Sequence, residues 1–264
     1  MKELRFLLYS IRKNISNSAE LRASFLLNAF GMMLNNCSLL ILWVFFMKTV
    51  GQVGGWGQLD VVALVGFVTL AFGIVFSFFN GLSKLAASVA SGGFDRFLVS
   101  PRRILPRVAT SSFGVSAVGD IFYGFISLII YSMAMKLGIE AGVMLVCGVF
   151  IACVVFFSIL LLTQTAGFWL MDSVSLSQSL FEVFLTPSLF VGGTFQGINR
   201  LVFTFIIPSL LVGTLPVEAI KQMNWPRLAL AASLATLFLA LSIFLFHRGI
   251  KKYESSNLNN FGYG

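Results

Sequence analysis

The sequence predicts an all-α, polytopic helical membrane protein, and three observations predict it. Residues 23–47, 61–83 and 141–171 are runs of 25, 23 and 31 residues without Asp, Glu, Lys or Arg. A helix rises about 1.5 Å per residue and the bilayer hydrocarbon is roughly 30 Å thick, so about 20 such residues cross it. The apolar fraction is 58% and the charged fraction 11%, against roughly 25% charged residues in soluble domains. The basic residues collect in alternate connecting segments, as the positive-inside bias requires. Continuous apolar runs also exclude a β-barrel, whose short strands alternate in polarity.

Each element follows in order. Residues 1–22 carry Leu4, Leu7, Leu8, Ile11 and Ile15 on one helical face and Arg5, Arg12 and Lys13 elsewhere. This predicts an amphipathic helix in the membrane interface rather than a signal peptide, whose apolar core would be longer. The first span is predicted at 23–47 and the second at 61–83, joined by a Gly-rich loop with Trp56 as an interfacial anchor. A basic loop, 84–107, leads to a third span at 112–135. A tight turn at 136–140 leads to a fourth span at 141–165, polar at its end through Thr163, Gln164 and Thr165. The fifth span is predicted at 177–195, with Glu182 near its start, after a Ser-rich stretch without basic residues. The last covers 227–247 and is followed by HRGIKKY and a tail, 254–264. Six spans leave no room in these 264 residues for a soluble domain of useful size.

Charge arithmetic orients the spans. With the N-terminus cytoplasmic, 13 of the 18 Lys and Arg fall inside and five outside: Lys48, Lys136, Arg200, Lys221 and Arg227. A further apolar run, 201–220, is long enough to cross. A seventh crossing would put HRGIKKY outside, and Pro208 and Pro216 break helices. The reading that satisfies both facts is a re-entrant external hairpin over 198–221, bending near 208–212. Broken backbone at that depth requires other spans or a water-filled cavity around it.

Most site chemistries are absent. The chain has no G-x-x-x-x-G-K-[ST] phosphate loop and no G-x-S-x-G turn, and one histidine cannot build an HExxH zinc site. No catalytic, cofactor-binding or metal-binding constellation is visible. Cys37, Cys147 and Cys153 lie in apolar runs and read as packing residues. The net charge of +8 sits in loops flanking the spans, where it meets lipid head groups rather than nucleic acid.

Two features remain. Asp120 falls inside the third predicted span, where a carboxylate costs roughly 2.5–3.5 kcal/mol on insertion scales. It is either a substrate or proton site or a structural carboxylate bonded to a neighbouring span. Gln164 and Glu182 are weaker intramembrane polar candidates. The loop KLAASVASGGFDRFLVSPRRILPR holds a short amphipathic piece in which Gly93 precedes Phe94, Asp95, Arg96, Phe97 and Leu98, and Pro101 ends it. Phe94, Phe97 and Leu98 form an apolar face suited to docking in a groove of another protein, with Phe97 and Leu98 as exposed anchors.

The segment GGFDRFLVSPRR resembles the cytoplasmic loop of ABC transporter type-2 permeases, the membrane subunits of a class of ABC exporters. INRLVFTFIIPSLLVGTLPVEAI resembles the external pre-terminal segment of one branch of that family, and HRGIKKYESSN its C-terminus. The Ser-rich, weakly basic 172–181 departs from it. The resemblance implies the permease subunit of an ATP-driven exporter, forming half of a translocation pathway in the cytoplasmic (inner) membrane with both termini cytoplasmic. The 92–101 loop is then the contact to a separate ABC ATPase subunit, because this chain has no ATP-binding motif and is not itself the enzyme. The second permease would be an identical copy or a paralogue. Two other readings stay open: an ATP-independent secondary transporter using Asp120, and a non-transporting membrane scaffold.

Overall fold

The charge-free runs fold as long helices and the segments between them as shorter ones: α1 (9–16), α2 (Arg22–Val50), α3 (Gln58–Phe78), α4 (Leu85–Ala90), α5 (Asp95–Leu98), α6 (Ile104–Ala109), α7 (Ala117–Ala134), α8 (Ile139–Thr165), α9 (Ser173–Ser188), α10 (Gly197–Leu201), α11 (Thr214–Lys221) and α12 (Trp225–Lys252). These come from a computed structural model, which describes residues 9–16, 22–99, 102–170 and 173–253. No strand forms among the described residues, where an isolated bridge joins Val53 and Trp56.

Helix α3 is the axis of the bundle. Every residue from 60 to 71 is buried, so its uniformly apolar sequence meets protein on all sides. α7 packs along one side of it and α8 along another, α12 lies against α8, α9 flanks α8, and α2 lies over α7 and α3. Small residues set the α3–α7 distance: a Cβ on Gly124 would sit 2.5 Å from the Leu70 nitrogen, and one on Gly73 2.6 Å from that of Ile121. Backbones that approach this closely gain van der Waals contact, which drives helix association where lipid removes the hydrophobic term.

Among the described residues, five helices are long and apolar enough to cross a membrane: α2, α3, α7, α8 and α12. The fifth of the six predicted spans is shorter than expected. α9 has 16 residues, starts at Ser173 and stops at Ser188, where 177–195 was expected. Sixteen residues rise about 24 Å, short of the roughly 30 Å core. The helix stops just after Pro187, and the chain continues through a 3-10 turn at Gly192–Thr194. The third span is also shorter: α7 begins at Ala117 rather than 112, because 111–116 runs as irregular chain in which Gly114 N donates to the Ser77 carbonyl at 3.2 Å. The second span ends at Phe78 rather than 83.

Residues 197–221 fold back on themselves. α10 passes into a π turn at Val202–Ile206, the helix breaks at Ile207, a 3-10 turn covers Pro208–Leu211, and α11 returns. Arg200 on the descending arm pairs with Glu218 on the returning arm. The bottom of the hairpin is protein-lined: Pro208 to Gly213 are buried, against α3, α8 and α9. A single crossing helix here would have kept Arg200 and Glu218 far apart.

The same end of the bundle is laced by further polar ties. Glu218 also takes Arg227 at 3.2 Å, Lys221 reaches Asp60 at 2.7 Å and the Gly55 carbonyl at 2.9 Å, and Trp225 Nε1 donates to Glu140 at 2.7 Å. Asp60 additionally caps α3 by accepting from the Gly57 N–H at 2.8 Å. At the opposite end, Ser10 and Asn14 of α1 donate to the Thr110 carbonyl at 3.0 and 2.8 Å, with Arg12 and Lys13 exposed. The other residues expected in the interfacial helix, 1–8 and 17–21, lie outside the described residues, as do Pro101 and the tail 254–264.

Candidate functional site: a clamped loop and a polar helix face

The loop between α3 and α7 is built from three short helices. α4 ends where Gly92 takes φ +74, a conformation that glycine adopts without strain. Gln164 fastens its start: Oε1 accepts from the Ala86 N–H at 3.3 Å, which ties the first turn of α4 to the end of α8. Gln164 is therefore a buried fastener of the loop.

α5 begins at Asp95. Phe94, just before it, is fully buried among Phe97, Phe168 and Tyr253, at ring-centroid distances of 5.8, 5.2 and 5.2 Å. Tyr253 Oη donates to Asp95 Oδ1 at 2.8 Å, and Arg107 Nη1 donates to the Phe97 carbonyl at 2.7 Å. Arg96 lies over the Phe97 ring, 4.7 Å from its centroid. Burial, then the hydrogen bond to Asp95, pushes the Tyr253 hydroxyl up to about 12, so it keeps its proton.

This corrects the expectation that Phe97 is an exposed anchor. Phe97 is 6% exposed. An aromatic ring gains more by burial against its own chain than by waiting for a partner, and Phe94, Arg96 and Arg107 cover Phe97. The exposed apolar edge is Leu98, at 40%, and Val99, at 85%. Gly93 is exposed beside them. α5 thus has an apolar tip on an aromatic root, and the root is fixed to the ends of α8 and α12.

Glu182 lies elsewhere, on α9. Ser175, Ser179, Glu182 and Thr186 are all exposed and follow the spacing i, i+4, i+7, i+11. At 3.6 residues per turn they share one face. The opposite face, with Phe181 and Phe184 buried against Phe156, holds α9 to α8. Beside the polar face lies a cleft of about 470 Å³, walled by Glu182 and Thr186 and by Phe203 and Ile207 of the hairpin. The Ser-rich composition of this stretch was visible in the sequence, and its four-position stripe is the signal that sequence reasoning missed.

Asp120 stands in the first turn of α7, not in mid-helix as the longer span implied. That turn is sunk in the bundle beside Gly73 of α3, so Asp120 is still only 2% exposed. Asn36 Nδ2 donates to Oδ1 at 2.6 Å, a partner the sequence did not reveal. A helix N-terminus favours a carboxylate, which offsets part of its burial cost. The structure does not gather Asp120, Gln164 and Glu182 into one site. Among the described residues no group of His, Cys, Asp and Glu could hold a metal, and the three cysteines are free.

The family model of the ABC-2 family transporter proteins matches residues 33–257, and the chain belongs to that family. It is a multi-pass membrane protein and the membrane permease of an ABC transporter, a component that works with an ABC ATPase. A comparison with curated proteins finds no significant match.

Proposed function

We propose that the chain forms half of the translocation pathway of an ATP-driven exporter, and that a separate ATPase subunit drives it through residues 92–101. The observation that carries this reading is the construction of α5. Its exposed tip, Leu98 and Val99, offers an apolar anchor for a groove. In its root, Phe94 is wedged between Phe168, just past the end of α8, and Tyr253, just past the end of α12, and Phe97 packs on Phe94. A partner that moves the tip therefore moves two long helices. The chain carries no phosphate-loop motif, so the work comes from the partner.

The pathway follows the polar face of α9. Serine, glutamate and threonine in a continuous stripe are costly against lipid and suit water or a partner chain. A second permease, identical or paralogous, closes the pathway from the α2–α9 side. α2 exposes Leu27, Phe30, Leu34, Leu42 and Phe45 there to lipid and to that partner. α9 and the turn after it supply the sixth crossing, which leaves α1, the loop and Tyr253 cytoplasmic and the 197–221 hairpin outside, in the inner membrane. The 13-to-5 division of Lys and Arg supports this orientation.

The test is co-purification of the full chain with a candidate ABC ATPase subunit, followed by ATPase assay with and without the chain. Association is expected, and Leu98→Asp with Val99→Asp should abolish it while leaving the bundle intact by thermal unfolding. An ATPase that binds the double variant as well as the parent rules out this loop as the coupling element.

A further inference from the structure

A cavity of about 190 Å³ lies beside Asp120, enclosed by α2, α3, α7 and α9. Asp120 has given one oxygen to Asn36, and its Oδ2 is buried without a hydrogen bond among the described residues. A buried acceptor left unmatched costs free energy, so this oxygen calls for a donor. The remaining polar groups on the wall are Asn35, Asn36 and Thr69. Thr69 spends its hydroxyl proton on the Val65 carbonyl at 2.7 Å, so it offers the cavity lone pairs. No Lys or Arg lines the wall. The rest is apolar and aromatic, led by Leu39, Val68 and Phe72.

We propose that this cavity binds a small organic ammonium ion, with the ammonium at the Asp120 carboxylate and the hydrocarbon against Leu39, Val68 and Phe72. An ammonium supplies three donors where the wall supplies acceptors and one carboxylate. A bare divalent ion would need six or more oxygen ligands, which mostly apolar walls do not provide. The size also fits, because an apolar cavity of about 150 Å³ accommodates benzene. Leu39 and Leu189 are shared with a second, larger cavity of about 390 Å³ toward Trp43, Phe46 and Phe190. Aromatic faces there suit a cation on its way in or the apolar end of a longer amine. The inference concerns binding by this chain alone and does not rest on the ATPase contact.

The experiment uses the full chain in phosphatidylcholine nanodiscs, which carry no primary amine, with empty discs subtracted. Benzylammonium, benzyl alcohol and benzoate are titrated by calorimetry and by shift of the thermal unfolding midpoint. Saturable benzylammonium binding is expected, about tenfold or more tighter than benzyl alcohol, with none for benzoate. Asp120→Asn should lose about that same factor, since it removes one charge-assisted hydrogen bond. Leu39→Trp fills the cavity without altering the Asn36–Asp120 bond and should abolish binding. Benzylammonium binding no better than the alcohol, or full binding by Asp120→Asn, overturns the proposal. If Asp120→Asn does not fold, full binding by Leu39→Trp overturns it equally.

Discussion

Asp120 shows how one side chain can be tolerated where its type is rare. It sits on a helix N-terminus, accepts from Asn36 and lies in a turn packed against Gly73 of α3. Asp120→Asn preserves shape and hydrogen bonding, and is expected to remain folded with most of its transport in reconstituted vesicles. Asp120→Leu strands the Asn36 amide in the interior, and should lower stability by about 1–3 kcal/mol in thermal or denaturant unfolding. A well-folded but inactive Asp120→Asn protein would move weight to a proton-coupled role. Tyr253 poses the opposite case, a hydroxyl in partial contact with water that stays neutral. Its bond to Asp95 stabilises the loop in full below the ordinary tyrosine value of about 10. It is lost only as pH rises through about 12. Loop anchoring should therefore be flat across pH 6–9, read as the rate of tryptic cleavage at Arg102 and Arg103. Phe94→Ala, which empties the cage at a cost of about 3–5 kcal/mol, should speed that cleavage at every pH.

The short helices differ from the long ones in what holds them. α5 has four residues, far below the length at which a helix is stable alone, so its form depends on Phe94, Arg107 and Tyr253. α9 is held along its phenylalanine face and leaves its polar face exposed. In a cysteine-free background, single cysteines at 175, 179, 182 and 186 should react with a water-soluble thiol reagent in membranes. Cysteines at 177 and 184, on the packed face, should react at least about tenfold more slowly, as buried thiols do. Equal reactivity on both faces would remove α9 from the pathway. The hairpin depends on contacts at both ends: Arg200 with Glu218 above, and buried Pro208–Val212 below.

For the molecule as a whole, the orientation is the consequence that reaches furthest. Cysteine or reporter probes in the loop of Trp56, at its exposed Gln52, and at Lys136 and Lys221 are expected to report the outside and one near Lys251 the inside. Labelling of a residue near Lys251 from outside would overturn six crossings. The ties among Asp60, Glu140, Glu218, Arg200, Lys221, Trp225 and Arg227 join α3, α8, α10, α11 and α12 at one end of the bundle. The aromatic cage of Phe94, Phe168 and Tyr253 joins α5, α8 and α12 at the other. Both ends are thus cross-linked through α8 and α12, which makes these two helices the rigid column against which the loop acts.

The helical membrane class, the long helices α2, α3, α8 and α12 and the broken segment near Pro208 were legible in the sequence, because a bilayer imposes length and polarity on each segment separately. The breaks at Ser188 and before Ala117 were not, since they depend on the neighbours of Pro187 at the end of α9 and on Gly114 packing against Ser77. The docking loop was recognisable from its pattern of aromatic and charged residues, yet the pattern could not say that Phe94 and Phe97 turn inward. That required Phe168 and Tyr253, about 70 and 155 residues further along the chain, to arrive at the same place. Asp120's partner lies 84 residues before it. Composition and periodicity determine which segments enter the membrane, because that is a local transfer free energy. Which polar groups meet inside it is decided by helix packing, because only packing brings distant residues within hydrogen-bond reach.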